Sequence, residues 1–143
     1  MTLCLLALHA AATLGMGGLA WFVQVVHYPL MAALPREAFP EYERLHRRKT
    51  TWIVAPLMLA EAASAAWLLV APPTGVPAFW RAAGASLLAL IWISTFAVQV
   101  PLHESLSRGF DPLLHRRLVR SHWLRTAAWT ARSALALWWL AAA

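Results

Sequence analysis

The chain has 143 residues, of which 61% are hydrophobic and only 13% are charged, and its formal net charge is +6. Soluble domains carry about a quarter charged residues, so this composition excludes an ordinary soluble domain and predicts a membrane protein. The positive charge does not indicate nucleic-acid binding, because basic loops beside apolar spans are what membrane insertion favours. The single cysteine, Cys4, excludes an internal disulfide and a CxxC metal motif.

Four apolar segments predict an all-α fold, a four-helix transmembrane bundle that forms a single domain over residues 1–143. The predicted spans cover about residues 2–27, 51–71, 79–100 and 122–142, each with roughly the 20 residues needed to cross the hydrocarbon core. The first span lacks a positively charged leader, so we expect it to be retained rather than cleaved as a signal peptide. Tyr28-Pro29, Pro72-Pro73 and Pro101 are expected to close the first three spans.

Basic residues are concentrated in two of the three predicted loops. Residues 28–50 and 101–121 hold most of the arginines, whereas residues 72–78 contain no Lys or Arg. The positive-inside rule therefore predicts that the two basic loops are cytoplasmic and that both termini lie on the outer side of a bacterial-type inner membrane. The expected partner is the lipid bilayer, with a homo-oligomer or a larger membrane complex as further alternatives and no nucleic acid.

The two basic loops resemble each other, which raises the hypothesis of a duplicated two-helix unit. Residues 22–25 (FVQV) resemble residues 96–100 (FAVQV), and the motif LHRR at residues 45–48 recurs at residues 114–117. A phenylalanine and a proline precede the motif in both loops. Such a duplication would place a pseudo-two-fold axis along the membrane normal.

Glu61 and Arg132 are the candidate catalytic residues. Each lies about ten residues into its predicted span, counted from the same side of the membrane. An isolated charge at that depth is costly, so we expect the two side chains to pair or to share a polar cavity. In one interpretation Glu61 carries a proton. In the alternative, the pair is structural and only fixes the order of the helices.

The candidate ligand pocket lies at the cytoplasmic ends of the spans. Its predicted residues are polar side chains near those ends: Gln24, His27, Gln99, His103, His122 and Arg125. Pro101 stands between Gln99 and His103 and is expected to turn His103 away. His122, Arg125, Trp129 and Arg132 follow helical spacing and predict one continuous stripe.

Other histidines are given different roles. His46 and His115, inside the LHRR motifs, are expected to be solvated or to face lipid headgroups. His9 is expected to stand alone in the first span. Since HExxH and HxxxH pairs are absent from the sequence, the metal is unknown, and its ligands would have to come from different helices.

Several runs resemble a family of small bacterial four-helix inner-membrane proteins. They are residues 24–30, residues 100–103 and above all residues 122–132, HWLRTAAWTAR. Some proteins of this kind are anthrone-oxygenase-like, which implies oxidation of a hydrophobic aromatic molecule. A second resemblance, to HemJ-type haem-binding four-helix membrane proteins, is carried by Leu8-His9 and residues 55–58, APLM. It implies haem b with His9 as an axial ligand, and Arg81 is the only basic residue near the position of their third-span lysine.

Three classes of function are therefore open. The first is a membrane redox enzyme, or a haem or metal binder, that acts on a lipophilic small molecule at a cytoplasm-facing intramembrane pocket. The density of polar residues within the spans favours this class. The second is a non-catalytic accessory or assembly subunit of a membrane complex. The third is a small proton- or cation-coupled transporter with Glu61 on the ion path.

Overall fold

The computed structural model describes residues 2–142, and these residues form helices and connections with no strand among them. In chain order the helices are α1 (Thr2–Phe22), α2 (Tyr28–Met31), α3 (Phe39–Val70), α4 (Ala78–Ser94), α5 (Val100–Leu106) and α6 (Pro112–Ala141). Two π-helical turns, Val23–His27 and Thr95–Gln99, join α1 to α2 and α4 to α5 without interruption. Four long helices result, namely α1–α2, α3, α4–α5 and α6, so the predicted all-α, four-helix architecture is confirmed.

Pro29 and Pro101 do not end their helices, and the predicted ends of the first and third segments are wrong in this respect. The helices continue through these prolines to Met31 and Leu106. In a regular α-helix a proline ring clashes with the carbonyl four residues earlier and removes one hydrogen bond. Each proline here follows a π-helical turn by two residues, and the turn changes the backbone pairing where the clash would arise. Pro72-Pro73 does follow a helix end, at Val70.

The π-helical turns are defined by backbone hydrogen bonds that reach five residues back. The Tyr28 N–H donates to the carbonyl of Val23, and the Val100 N–H donates to the carbonyl of Thr95. A single π-helical turn of this kind widens a helix locally and is frequent at functional sites. Both turns lie in the same region of the bundle, and each contains one buried glutamine.

Helices α3 and α6 begin well before the predicted second and fourth spans. They have 32 and 30 residues, so most of the charged segments predicted as loops are helical. Proline lies in the first turn of both helices, where its missing N–H costs no hydrogen bond. Asp111 caps α6 by accepting hydrogen bonds from the backbone N–H groups of Leu113 (2.7 Å) and Leu114 (3.2 Å).

The bundle has two ends of different character. At the termini end, Leu6, Leu68, Val76 and Trp139 form an apolar cluster that joins the start of α1 to the end of α6. At the opposite end, which we call the basic end, the connections 32–38 and 107–111 cover a second apolar cluster: Tyr28, Met31, Phe39, Leu102, Leu106 and Leu118. A third cluster around Met16, Ile91 and Trp129 fills the middle.

The two halves of the chain repeat one plan. Each has a long helix with a π-helical turn and a proline near the basic end, then a short connection, then a helix with proline in its first turn. Phe39, the first residue of α3, and Phe110, in the second connection, pack edge to face with ring centroids 4.8 Å apart. The duplication itself stays a hypothesis.

Three of the long helices are long and apolar enough to cross a membrane: Leu3–Met31, Phe39–Val70 and Ala78–Leu106. The chain is therefore compatible with a membrane location. Helix α6 is not among these three, because Arg125 and Arg132 lie within its more apolar part and lower the hydropathy there.

Candidate functional site

Glu61, in the second half of α3, lies at the centre of a buried polar layer. Its carboxylate is fully buried, and Oε1 accepts hydrogen bonds from Arg132 Nε at 2.7 Å and Thr13 Oγ1 at 3.1 Å. The second oxygen, Oε2, accepts from Trp129 Nε1 at 3.0 Å. The predicted pairing of Glu61 with Arg132 is confirmed. Because both oxygens are occupied, the geometry resembles a structural ion pair more than a group free to carry protons.

Arg132 extends this layer to the third long helix. Its Nη1 donates to the backbone carbonyl of Gly84, whereas Nη2 has no partner among the described residues. The layer thus connects all four long helices through Thr13, Glu61, Gly84 and Arg132.

His9 is not isolated, contrary to the expectation from sequence. It is buried, its Nδ1 lies 2.9 Å from Ser64 Oγ, and its ring stacks on Trp139 with centroids 5.9 Å apart. The Ser64 hydroxyl donates its hydrogen to the carbonyls of Ala60 and Glu61, so Nδ1 is the donor in the contact with His9. The cavity beside His9 measures about 10 Å³, which does not fit a haem.

Three side chains at the basic end form a linear hydrogen-bonded relay. The fully buried Glu43 carboxylate contacts His103 Nδ1 at 2.5 Å through Oε1, and His103 Nε2 lies 3.0 Å from the Tyr28 hydroxyl. Since a carboxylate accepts, Nδ1 donates to Glu43, and Nε2 accepts the hydrogen of Tyr28. Carboxylate, imidazole and hydroxyl therefore stand in the order that acid–base catalysis uses.

The relay comes from three helices, and local backbone structure explains its position. Tyr28 directly follows the first π-helical turn, and His103 lies one residue beyond Leu102 in the helical segment that continues past Pro101. Pro101 was expected to turn His103 away, but the continuous helix points it into the bundle instead. Glu43 lies one helical turn after Phe39, which is itself fully buried.

A second buried group surrounds His122. Its Nδ1 contacts Gln24 Oε1 at 2.9 Å and Thr126 Oγ1 at 3.2 Å, and its ring meets that of Tyr28 edge to face at 5.0 Å. Gln24 also donates to the Val119 carbonyl at 3.3 Å. The π-helical turn therefore uses its glutamine to bind α6.

Arg125 and Gln99 complete the buried polar residues near His122. The Arg125 guanidinium lies over the Trp129 ring at 4.9 Å, and its Nε has no partner among the described residues. Gln99 donates to Ser121 Oγ at 2.9 Å. The predicted stripe of His122, Arg125, Trp129 and Arg132 is buried throughout and is confirmed.

His27 and His46 stack face to face beside the relay, with ring centroids 4.2 Å apart. His46 Nδ1 contacts Thr50 Oγ1 at 3.1 Å. His115 is buried and contacts the Tyr28 carbonyl at 3.0 Å through Nε2, so its predicted solvation is wrong. Within residues 2–142 no three His, Cys, Asp or Glu side chains are arranged to hold a metal ion.

A groove runs along the bundle between α3 and the third long helix. It has a volume of about 430 Å³, its walls are mainly apolar, with Met58, Trp92 and Phe96 among them, and its polar end carries His46 and His103. A smaller pocket of about 60 Å³, which we call the chamber, lies between α1, α3 and α6. Its lining combines apolar side chains with polar residues of the two clusters: Tyr28, His46, Thr50, His122 and Arg125. Groove and chamber share the wall formed by His46, Thr50 and Val54.

The structure thus brings most predicted pocket residues together at the basic end. Five of them lie around Tyr28 or His46: Gln24, His27, His103, His122 and Arg125. Gln99 packs beside them against α6. Glu61, Arg132 and His9 belong to the separate layer nearer the termini end.

Sequence reasoning missed Glu43 and Tyr28. The sequence pattern predicts a loop over residues 28–50, which gives Glu43 no buried role and places Tyr28 at the end of the first span. One signal was available, because Glu43 follows Phe39 by four residues and would share its helix face.

Comparison with known proteins gives no further guide: no family model, curated protein or solved structure matches this chain. The function must therefore be argued from the geometry of the site.

Proposed function

We propose that this chain is a four-span inner-membrane protein that binds a lipophilic aromatic or quinone-like molecule and moves a proton to or from its polar head. One observation carries the proposal. An apolar groove of about 430 Å³ ends at His103, and His103 belongs to the buried relay of Glu43, His103 and Tyr28. Sites for small molecules have this size and combine apolar walls with a few polar groups.

The relay supplies acid–base chemistry. Glu43 holds the Nδ1 hydrogen of His103 and stabilises positive charge on the ring, so that Nε2 can take the proton of the Tyr28 hydroxyl that it binds and return it. Tyr28 lines the inner chamber and His103 lines the groove. A phenol or quinol hydroxyl that reaches the chamber from the polar end of the groove would exchange its proton with Tyr28 and, through Tyr28, with His103.

The proposal is limited to binding and the proton step. If the bound molecule is also oxidised, its electrons pass to an acceptor such as dioxygen or a quinone, while the relay takes up the proton that is released. This reaction class agrees with the redox alternative that the sequence favours.

Glu61 is assigned a structural role in this proposal. Three donors, from Thr13, Trp129 and Arg132, occupy its carboxylate. A carrier of protons or cations needs a free oxygen and access to water, so the geometry gives the transporter alternative less support than the relay.

The membrane placement is part of the proposal. We infer that α6 crosses the bilayer with the other long helices, because its intramembrane polar residues His122, Arg125 and Arg132 are buried inside the bundle. The exposed arginines Arg116, Arg117 and Arg120 lie at the basic end, and the positive-inside rule makes that end cytoplasmic.

The proposal is tested with the purified chain in lipid nanodiscs and a 2-hydroxy-3-alkyl-1,4-naphthoquinone, whose visible absorption reports its ionisation. We expect saturable binding, and ionisation of the bound probe at lower pH than in protein-free nanodiscs. Ala55→Trp, which fills the groove wall, should weaken binding about tenfold or more. Ala63→Trp, on an exposed position of the same helix, is the matched control and should bind as the unmodified chain does.

His103→Gln separates proton transfer from binding. We expect this variant to bind the probe but to lose the shift in its ionisation, because the proton acceptor is gone. If Ala55→Trp binds like Ala63→Trp, the groove is not the site. If His103→Gln keeps the shift, the relay does not move the proton.

A further inference from the structure

A second polar site lies at the termini end, away from the relay. A small cavity of about 10 Å³ lies there between residues of all four long helices, among them His9, Leu68, Arg81, Gly84, Arg132 and Trp139. This volume corresponds to about one water-sized sphere. Phosphate, sulfate and organic ligands are therefore too large for the cavity, which limits its occupant to a water molecule or a monatomic ion.

Three hydrogen-bond donors around this cavity have no partner among the described residues. They are Arg81 Nε, Arg132 Nη2 and Trp139 Nε1, and each of these atoms is buried. Arg132 and Trp139 are themselves 3% and 5% exposed. Buried donors are almost always paired, so three unpaired donors around one cavity indicate an occupant that accepts from all of them.

The charge of the site favours an anion. Glu61 pairs with Arg132 at 2.7 Å, but Arg81 has no carboxylate within 4.0 Å among residues 2–142. The site therefore carries one positive charge in excess. A water molecule accepts two hydrogen bonds and must place its own hydrogens on acceptors, whereas a halide accepts several donors and balances the charge.

We infer that the cavity between Arg81, Arg132 and Trp139 binds a monatomic anion of the chloride class. His9 lines the same cavity, and with Nδ1 donating to Ser64 its Nε2 is the acceptor nitrogen of the ring, but none of the three donors is paired with it. Arg132 binds the Glu61 carboxylate through Nε, and this contact leaves its Nη2 without a partner among the described residues. Because the site is distant from the groove, this inference is independent of the proposed function.

The test is thermal unfolding of the purified chain in nanodiscs, with sodium chloride compared with sodium gluconate at equal ionic strength. We expect chloride and bromide, but not gluconate or sulfate, to raise the unfolding temperature in a saturable way. Trp139→Phe removes one donor and should weaken this dependence about tenfold. Trp138→Phe changes the exposed neighbour and should leave it intact.

A direct measurement keeps the inference testable if Trp139→Phe does not fold. Broadening of the chloride-35 resonance by the unmodified chain should appear and be reversed by bromide. Absence of both the broadening and the chloride-dependent stabilisation means that water alone occupies the cavity and overturns the inference. Equal chloride dependence in Trp138→Phe and Trp139→Phe overturns the assigned location.

Discussion

Glu61 shows what a buried carboxylate requires in an apolar bundle. Removing an ion from water costs several kcal/mol, which the attraction of an oppositely charged partner roughly offsets. Hydrogen bonds from neighbouring side chains therefore decide whether the buried pair is stable. Here Thr13, Trp129 and Arg132 donate to both oxygens. Both carboxylate oxygens are thus hydrogen-bonded. If either member of the Glu61–Arg132 pair is removed, the charge of the other remains buried in a medium of low dielectric constant without a counter-charge.

Removal of the Glu61 charge should therefore destabilise the bundle strongly. Glu61→Leu leaves Arg132 without its counter-charge, and we expect a loss of about 3–5 kcal/mol. The double variant Glu61→Leu, Arg132→Met should recover most of this loss, because both charges are gone. Thermal unfolding of the single and double variants gives the coupling energy, and a coupling near zero would contradict the pairing.

The exposed pair Glu41–Arg44 provides the control for that cycle. Its side chains are more than half exposed although the atoms lie 2.7 Å apart. Exposed pairs contribute little, so Glu41→Gln should leave the unfolding temperature unchanged.

At the scale of the helices, close contact between α1 and α6 depends on one small residue. A Cβ atom at Gly17 would lie 2.8 Å from Ser133 Oγ, whereas a Cβ at Gly18 would meet nothing within 4 Å. Small residues at such a contact allow helices to approach closely within a membrane. The two adjacent glycines therefore have different roles, which the sequence alone does not distinguish.

Alanine substitution should separate these glycines. Gly17→Ala is expected to be less stable than Gly18→Ala by about 1 kcal/mol, because the Ser133 hydroxyl must turn away from the added methyl group. Gly18→Ala should be neutral or slightly stabilising, because alanine is the better helix former. Adding Ser133→Ala to Gly17→Ala should restore stability, as measured by thermal unfolding, and failure to do so would place the clash elsewhere.

The sequence predicts the helices better than their ends. Hydrophobic length is enough to find four helical segments, and intramembrane charge is enough to pair Glu61 with Arg132. The π-helical turns are not predictable from composition. A proline in the sequence predicts a helix end whether or not a π-helical turn precedes it. Since those turns carry the helices past Pro29 and Pro101, the relay residues Tyr28 and His103 could not be assigned to a common site.

At the scale of the whole molecule, α6 decides between three and four membrane crossings. Its hydropathy does not mark it as a span, but the charges in its middle are directed into the bundle. A helix can bury such groups against its neighbours while it presents apolar side chains to lipid. A hydropathy value averaged along the sequence does not distinguish the side of a helix that faces the bundle from the side that faces lipid.

Cysteine labelling in intact cells tests this placement. In a Cys4→Ser background, Thr74→Cys and Ala142→Cys, both exposed, should react with a membrane-impermeant maleimide added outside. Glu37→Cys, exposed at the basic end, should react only after permeabilisation, because that end is expected to be cytoplasmic. If Ala142→Cys behaves like Glu37→Cys, α6 does not cross the membrane.

Gly75 has a consequence for the linear order of the chain. It lies in the connection between α3 and α4 with φ +88°, and a Cβ there would be 3.3 Å from the carbonyl oxygen of Ala142. The middle of the chain and its described C-terminal end are therefore neighbours, on the same end of the bundle as the start of α1. A circular permutant opened within residues 71–77, with its former ends joined by a short linker, would exchange the order of the two hairpins. Each hairpin consists of two long helices and begins and ends at the termini end of the bundle. The permutant therefore keeps the orientation of every helix.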